Sequence, residues 1–248
     1  MPSAHPQHDP EREYFDAVER AEELARLLEQ ARARKSMLVF GPEGVGKSRL
    51  LRSFCSSEEL ALFVVNSKSP REFLLELLEA MRPKAKGEKI PRDVTAQSAR
   101  SLKGIVHRAL DAAPYLIVVD HLSGPSRVLT GMIKDLHYYG RTPVFFAARS
   151  PHMEDIGALQ AFCALKTERL EIKNWPQPVA WEFAKRHAGA IGLWASNFES
   201  ALRSFVEWSD GNPASILRLV EMARSPKYRM GDQIKAHILY VDYRMGRR

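Results

Sequence analysis

Residues 36–48 have the sequence SMLVFGPEGVGKS, and this stretch decides the fold that the rest of the chain must fit. The apolar run 36–40 is too short for a helix and predicts a buried strand. Residues 41–48 then match G-x-x-x-x-G-K-[ST] at every fixed position. Glycines allow the backbone to point several N–H groups at one anion, and the helix that follows adds the positive end of its dipole. The stretch therefore predicts a phosphate-binding loop between a strand and a helix.

The residues of this loop are the first candidate ligand contacts. In such a motif the lysine, here Lys47, reaches the β- and γ-phosphates of a nucleotide, and the hydroxyl of Ser48 is a ligand for Mg²⁺. A glycine-rich turn with a surface lysine is the alternative, but the apolar strand before the loop and the amphipathic helix after it favour a nucleotide site. The predicted contacts of ATP or ADP are Gly41, Pro42, Glu43, Gly44, Val45, Gly46, Lys47, Ser48 and Arg49.

A second anchor for Mg²⁺ is predicted at the end of another apolar run. Residues 115–120, YLIVVD, show no alternation and indicate a strand buried on both faces, with Asp120 at its end. We therefore expect Ser48 and Asp120 to hold the metal together. His121 comes next; its imidazole has a reference pKa of ~6.5 and is able to accept a proton from water. An ordinary loop residue without a catalytic role is the alternative for His121.

The apolar pattern along the chain predicts an α/β fold followed by a helical domain. Predicted strands alternate with 3.6-residue apolar stripes, which indicates a parallel sheet with right-handed crossovers. After Trp175 three helical stripes follow with no strand between them. For 232–245 we favour a helix over a strand. The further predicted strands are 61–66, 143–148 and 169–172. The predicted domains are a disordered N-terminus (1–13), a nucleotide-binding domain (14–174), a helical lid domain (175–225) and a basic C-terminal segment (226–248).

Together these residues resemble the P-loop ATPases of the AAA+ and STAND (signal-transduction ATPase) group over about residues 14–225. The resemblance implies a P-loop NTPase parallel sheet sandwiched by helices, with a C-terminal all-helical lid domain. It implies that Val18 and Arg20 lie over the adenine, that Arg149 senses the γ-phosphate at the end of the fourth core strand, and that Pro213 packs near the base. The respective alternatives are a plain charged helix, a surface arginine and an ordinary helix-to-helix turn.

Two departures from the motifs of relatives have different consequences. Relatives often carry a glutamate after the metal-site aspartate, where this chain has His121, and this departure bears on the reaction. The arginine of the alternative lid motif is replaced by Ala214, which favours a STAND-like or a secretion- and transposition-type lid over an origin-recognition type. The resemblance therefore implies an ATP-binding P-loop ATPase that acts as a nucleotide-controlled switch or assembly factor with slow hydrolysis. Its implied catalytic residues are Lys47, Asp120, His121 and Arg149. Arg127, on the loop after Asp120, is the candidate arginine finger in an oligomer.

Composition limits the class of protein and its partners. The chain has 248 residues, 45% hydrophobic and 27% charged, which is typical of a soluble globular protein, and neither a membrane span nor a secretory segment is visible. The two cysteines lack disulfide or metal spacing, so a cytoplasmic location is expected. The net charge of +7 and a basic stretch at 224–248 leave a DNA-associated ATPase of the transposition-regulator type as the alternative, with non-specific DNA binding. A protein partner or self-assembly is expected otherwise, and a metabolic kinase is a weaker third reading.

Overall fold

The computed structural model describes residues 20–65, 69–84, 90–91 and 93–246. The described chain divides into two compact units. The first comprises residues 20–41 and Lys47–Ile172, and the second comprises Pro42–Gly46 together with residues 173–246. Val18, the N-terminal segment 1–13 and the last two residues lie outside the described residues, so the predictions made for them stay predictions.

A five-stranded parallel sheet forms the centre of the first unit. Its strands are β1 (Met37–Phe40), β2 (Ala61–Val64), β3 (Leu116–Leu122), β4 (Val144–Ala148) and β5 (Arg169–Glu171). Their order in the sheet is β2-β3-β4-β1-β5, with every neighbouring pair parallel. Because parallel strands share one carboxyl edge, the residues that follow β1, β3 and β4 all emerge at that edge.

Helices cover both faces of this sheet. They are α1 (Ala21–Arg32), α2 (Lys47–Ser57), α3 (Pro70–Met81), α4 (Ala99–Ala112), α5 (Arg127–Gly140) and the single turn α6 (Met153–Ile156). Adjacent residues of a strand point to opposite faces, and Phe145 and Phe146 of β4 are both fully buried. The Phe145 ring lies 5.0 Å from that of Phe54 on α2, whereas Phe146 belongs to a core cluster with residues of α3, α4 and α5. The sandwiched parallel sheet predicted from the sequence is confirmed.

Helices also dominate the second unit, as predicted. They are α7 (Gln177–Ala190), α8 (Phe198–Ser209), α9 (Pro213–Met222) and α10 (Ala236–Met245). The last of these confirms that a helix lies within 232–245, but it begins only at Ala236, because Gln233–Ile234 form a short strand instead. A short antiparallel pair, β6 (Arg229–Met230) with β7 (Gln233–Ile234), was not predicted, because two-residue strands carry no readable periodicity. Leu239 and Tyr243 of α10 are buried, so the basic segment packs as part of this unit.

Several predicted strand ends differ from the structure for local reasons. The strand β1 begins at Met37 because the Ser36 hydroxyl, and not a backbone group, accepts the Val144 N–H. The strand β2 ends at Val64, since the N–H of Val65 donates to a Glu76 carboxylate oxygen at 2.9 Å; Asn66, the last residue of the predicted strand, lies outside the described residues. The prediction that β3 ends at Asp120 is wrong: the strand continues to Leu122 through a register shift against β4.

The short helices at 153–168 were also missed, because each is about one or two turns long. Within the described part of the chain, no helix has the length and apolar character needed to cross a bilayer.

Candidate functional site

The backbone of the phosphate-binding loop requires each of its three glycines. Gly41, Gly44 and Gly46 have φ values of 154°, 75° and 102°. Residues other than glycine rarely adopt positive φ values such as these. Gly44 is restricted by space as well: a Cβ there would lie 2.7 Å from the Ala214 Cβ and 2.9 Å from the Asn212 Oδ1. The motif glycines therefore allow the turn itself and a close approach of other residues to it.

Lys47 and Ser48 open α2 directly after this turn. The Lys47 ammonium donates a hydrogen bond to the Gly41 carbonyl at 2.8 Å, so its charge lies along the loop. The Ser48 hydroxyl donates to Asp120 Oδ1 at 3.1 Å. The structure thus brings together the two residues that the sequence assigns to the metal.

Asp120 has the surroundings of a cation ligand. Its side chain is 1% exposed, and its Oδ1 accepts hydrogen bonds from the Ser48 hydroxyl and from the His121 N–H at 2.9 Å. Its Oδ2 is buried and has no hydrogen-bond partner among the described residues. A buried carboxylate oxygen in this condition is costly unless a cation or donor compensates it.

These donors fit Mg²⁺, which prefers oxygen ligands and retains water and phosphate oxygens in its shell. Among the described residues no cluster of three His, Cys, Asp or Glu side chains offers an all-protein cage. The site therefore suits a cation that is held partly by a nucleotide.

His121 lies beside this pair in an unusual backbone conformation. Its φ is 52°, and it sits in the register shift between β3 and β4. Its imidazole Nε2 is 3.4 Å from the Ser48 Oγ and 3.5 Å from the Asp120 Oδ2. The side chain is 68% exposed. The ring is thus directed toward the Ser48 hydroxyl and the Asp120 carboxylate.

The arginines singled out from the sequence occupy three different settings. Arg149 is exposed and follows β4, whose last residue Ala148 pairs with Phe40 at the end of β1. Arg127 is the first residue of α5, which corrects its expected position on a loop. Arg20 precedes α1, and its guanidinium forms an ion pair with Glu23 at 2.9 Å. The predicted contact of Arg20 with adenine stays a prediction.

The tip of the loop, Pro42–Gly46, is held by residues of the second unit, to which it belongs. The Asn212 amide donates to the Glu43 carbonyl at 2.9 Å, and the Ala214 N–H donates to the Gly44 carbonyl at 3.2 Å. The Asn212 Oδ1 also caps α9 by accepting the Ser215 N–H. Asn212 is only 5% exposed.

Sequence reasoning identified Pro213 and missed its neighbour Asn212. Pro213 occupies the first turn of α9, where its lack of an N–H is harmless. The available signal was the asparagine before a proline, which predicts a helix cap but says nothing of a bond to the phosphate-binding loop. Gly211 supports the same turn: with φ 69°, a Cβ there would lie 2.1 Å from the Trp175 carbonyl oxygen.

The two cysteines are unsuited to nucleophilic chemistry. Burial raises the pKa of the Cys55 thiol to about 12 and also raises the pKa of Cys163. Both thiols are therefore protonated near neutral pH, and the thiolate is the reactive form.

No family model matches the chain, and no curated protein matches it either. Solved structures do match. The Walker-type ATPase PABY2304 of Pyrococcus abyssi superposes with a TM-score of 0.63 at 18% identity, over 92% of this chain and 72% of that one. The Orc1 protein of Aeropyrum pernix, solved in complex with DNA, gives 0.62 at 15% identity over 94% and 67%. A RuvB variant of Thermotoga maritima gives 0.55 at 14% identity over 91% and 68%.

These similarities show the fold. The chain has the P-loop NTPase fold of Walker-type ATPases, as its sequence predicts.

Proposed function

We propose that this chain binds ATP or ADP with Mg²⁺ and acts as a nucleotide-controlled switch or assembly ATPase with slow intrinsic hydrolysis. The observation that carries the proposal is the meeting of Ser48 and Asp120 at the start of α2, next to a loop whose three glycines all have positive φ. That combination suits a phosphate chain and a divalent cation held together. We also propose that the chain belongs with the AAA+ and STAND ATPases that its motifs resemble.

In this proposal each group has a separate task. The N–H groups of the loop and the N-terminus of α2 bind the phosphates, and the Lys47 ammonium neutralises charge on the β- and γ-phosphates. Ser48 and Asp120 hold Mg²⁺, which supplies further neutralisation of the phosphate oxygens. Arg149, beside β1 at the carboxyl edge of the sheet, contacts the γ-phosphate.

The switch role is supported by the hydrogen bonds at Pro42–Gly46. Two carbonyls of the loop tip accept hydrogen bonds from Asn212 and Ala214, at the start of α9. A phosphate that draws the loop N–H groups toward itself also moves these carbonyls, because both belong to the same peptide units. The proposed consequence is a shift in α9 that a protein partner, or a second copy of this chain, reads.

Slow hydrolysis is proposed because a strong base is missing where relatives often place one. Attack on the γ-phosphate requires a group that orients water and accepts its proton. His121 stands where relatives have glutamate, and its ring nitrogen lies against Ser48 and Asp120. In oligomers of this fold an arginine finger is a common way to raise the rate, and Arg127 is the proposed finger.

The proposal is tested by titrating the full chain with a fluorescent ATP analogue, with and without Mg²⁺. Lys47→Ala should weaken binding about 100-fold, since a charge-assisted contact to phosphate is lost from a half-buried site. Lys185→Ala, which removes an exposed lysine of α7, is the matched control and should bind like the wild type. Equal affinity of the Lys47→Ala and Lys185→Ala proteins would overturn the nucleotide site.

A DNA-associated ATPase is the second candidate. The specific observation in its favour is the basic stretch at 224–248, which holds seven Lys or Arg against two Asp within a chain of net charge +7. Clustered cations bind phosphate backbones without sequence preference. The similarity to Aeropyrum pernix Orc1, a protein solved in complex with DNA, is compatible with this candidate.

A further inference from the structure

We propose that His121 is itself a ligand of the metal, so that the site has a nitrogen donor and favours Mn²⁺ or Co²⁺ relative to Mg²⁺. The proposal rests on the proposed function, because the metal enters with a nucleotide. It adds a ligand and a metal preference to that function. Three observations carry it: the spacing of the donor atoms, the incomplete hydrogen bonding of Asp120 and the backbone conformation of His121.

The donor atoms have the spacing of neighbouring ligands around one cation. The Ser48 Oγ lies 3.1 Å from Asp120 Oδ1, and the His121 Nε2 lies 3.4 Å from the Ser48 Oγ and 3.5 Å from Asp120 Oδ2. Adjacent ligands of an octahedral ion with bonds of about 2.1 Å are about 3.0 Å apart. A cation between these donors therefore needs only a few tenths of an ångström of adjustment.

Hydrogen bonding holds the ring only loosely, because its one hydrogen bond among the described residues, to the Ser48 hydroxyl, is 3.4 Å long. Good N–H···O bonds are about 2.7–3.2 Å long, and the His121 Nε2 is farther than this from both oxygens. The Ser48 hydroxyl proton is directed to Asp120 Oδ1. Asp120 Oδ2 remains buried without a hydrogen-bond partner among the described residues. A shared cation would satisfy this oxygen and the ring nitrogen together.

The backbone holds His121 in a conformation that ordinary strand residues avoid. Its φ of 52° lies in the left-handed region, which is costly for a residue with a side chain. The His121 N–H donates to Asp120 Oδ1, and the register shift against β4 occurs at this point. Because the side chain is mostly exposed, core packing does not hold the ring over Ser48.

A nitrogen donor changes which metal the site prefers. Mg²⁺ favours oxygen ligands, whereas imidazole suits first-row transition metals, and affinity for nitrogen sites rises from Mn²⁺ to Co²⁺. We therefore expect ADP to bind more tightly with Mn²⁺ than with Mg²⁺, and we expect His121 to be the cause of that difference.

The decisive measurement is pulsed electron paramagnetic resonance on the full chain with Mn²⁺ and ADP. Wild-type protein should show modulation from a histidine ¹⁴N nucleus, and labelling with ¹⁵N-histidine should change the modulation frequency without any mutation. His121→Asn should remove the signal, since asparagine tolerates the left-handed backbone but has no imidazole. His237→Gln, which replaces an exposed histidine of α10, is the matched control and should retain it.

A titration separates failure of this proposal from failure of the proposed function. For the wild type we expect ADP to bind more tightly with Mn²⁺ than with Mg²⁺. His121→Asn should reduce this preference for Mn²⁺ about tenfold. Loss of a residue that only orients a metal ligand already lowers metal affinity at least tenfold, and loss of a ligand should have an effect of at least that size. If the wild type binds Mn²⁺ and ADP but shows no histidine signal, His121 is not a ligand, and the proposed nucleotide site is unaffected. If ADP binds neither with Mn²⁺ nor with Mg²⁺, both the proposed function and the ligand role of His121 are wrong.

Discussion

Arg149 follows β4 directly, and the pairing of Ala148 with Phe40 places it beside the start of the phosphate-binding loop. The Arg149 residue is exposed to solvent. If the Arg149 guanidinium forms a bidentate hydrogen bond to the γ-phosphate, Arg149→Ala should lower the affinity for ATP about 10- to 100-fold. The affinity for ADP, which has no γ-phosphate, should be nearly unchanged. Competition titrations with both nucleotides measure this.

The control for Arg149 is Arg108→Ala, which removes an exposed arginine on α4 and should affect neither nucleotide. A surface arginine without a ligand would behave like this control. Equal losses of ATP and ADP affinity on replacing Arg149 would reject the sensor role.

At the scale of an element, the start of α9 combines a helix cap with a bond to the loop tip. Asn212→Ser keeps a good capping side chain but is too short to reach the Glu43 carbonyl. The affinity for ATP should therefore fall about fivefold, because one hydrogen bond that orders the loop contributes ~1 kcal/mol. The unfolding midpoint should change little, since the helix cap is kept. Nucleotide titration and thermal unfolding on the same sample measure the two effects.

A matched cap elsewhere shows whether this effect is specific. Ser98 caps α4 through the Ser101 N–H and lies in the first unit, so Ser98→Ala should lower stability by about 1 kcal/mol and leave ATP affinity unchanged. If Asn212→Ser and Ser98→Ala change only stability, the bond from Asn212 to the loop does not contribute to nucleotide binding.

Another element-scale effect depends on pH. His187 of α7 lies 3.7 Å from a Glu221 oxygen on α9. Burial lowers the pKa of His187, and the Glu221 charge only partly opposes that shift. Below about pH 6.5, His187 becomes protonated in the unfolded chain but stays neutral in the folded chain until a lower pH is reached. The free energy of unfolding should therefore fall as the pH drops through this range.

Urea unfolding at pH 5.5, 6.5 and 7.5 measures the His187 contribution. The loss of stability toward acid should be smaller in His187→Gln than in the wild type. His237→Gln removes an exposed histidine of the same unit and should keep the wild-type pH dependence. Parallel pH profiles for His187→Gln and wild type would contradict the role of the half-buried imidazole.

At the scale of the whole molecule, the basic stretch at 224–248 is the region to test for DNA binding. Deleting 226–248 would remove the buried Tyr228, Leu239 and Tyr243 and thereby disturb the second unit. Replacing Arg224, Lys235 and Arg244 by glutamine removes charge and leaves that core intact. If the chain binds DNA, the triple variant should bind more weakly, and its salt dependence should decrease by about one unit of slope per lost phosphate contact.

Fluorescence anisotropy with a random duplex at several salt concentrations measures this binding. A triple replacement of Arg100, Arg108 and Lys134 in the first unit serves as the charge-matched control. If the wild type binds no duplex at low salt, the DNA-associated candidate is wrong, and the basic segment has another role.

The sequence by itself determined the α/β fold, the helices of the second unit and the residues of the phosphate-binding loop. These features follow from local rules: apolar runs and 3.6-residue stripes specify strands and helices, and glycines specify positive φ at Gly41, Gly44 and Gly46. The approach of Ser48 to Asp120 was also predictable, because parallel strands place their carboxyl ends at one edge.

Only the tertiary structure decided the position of the His121 ring and the partners of Asn212. The ring position depends on a register shift between β3 and β4, which no periodicity of β3 encodes. Asn212 reads locally as a helix cap, yet its amide bonds to the Glu43 carbonyl, 169 residues earlier in the chain. Such a contact forms only after packing has closed the intervening chain, so its free energy depends on the whole fold and leaves no local pattern.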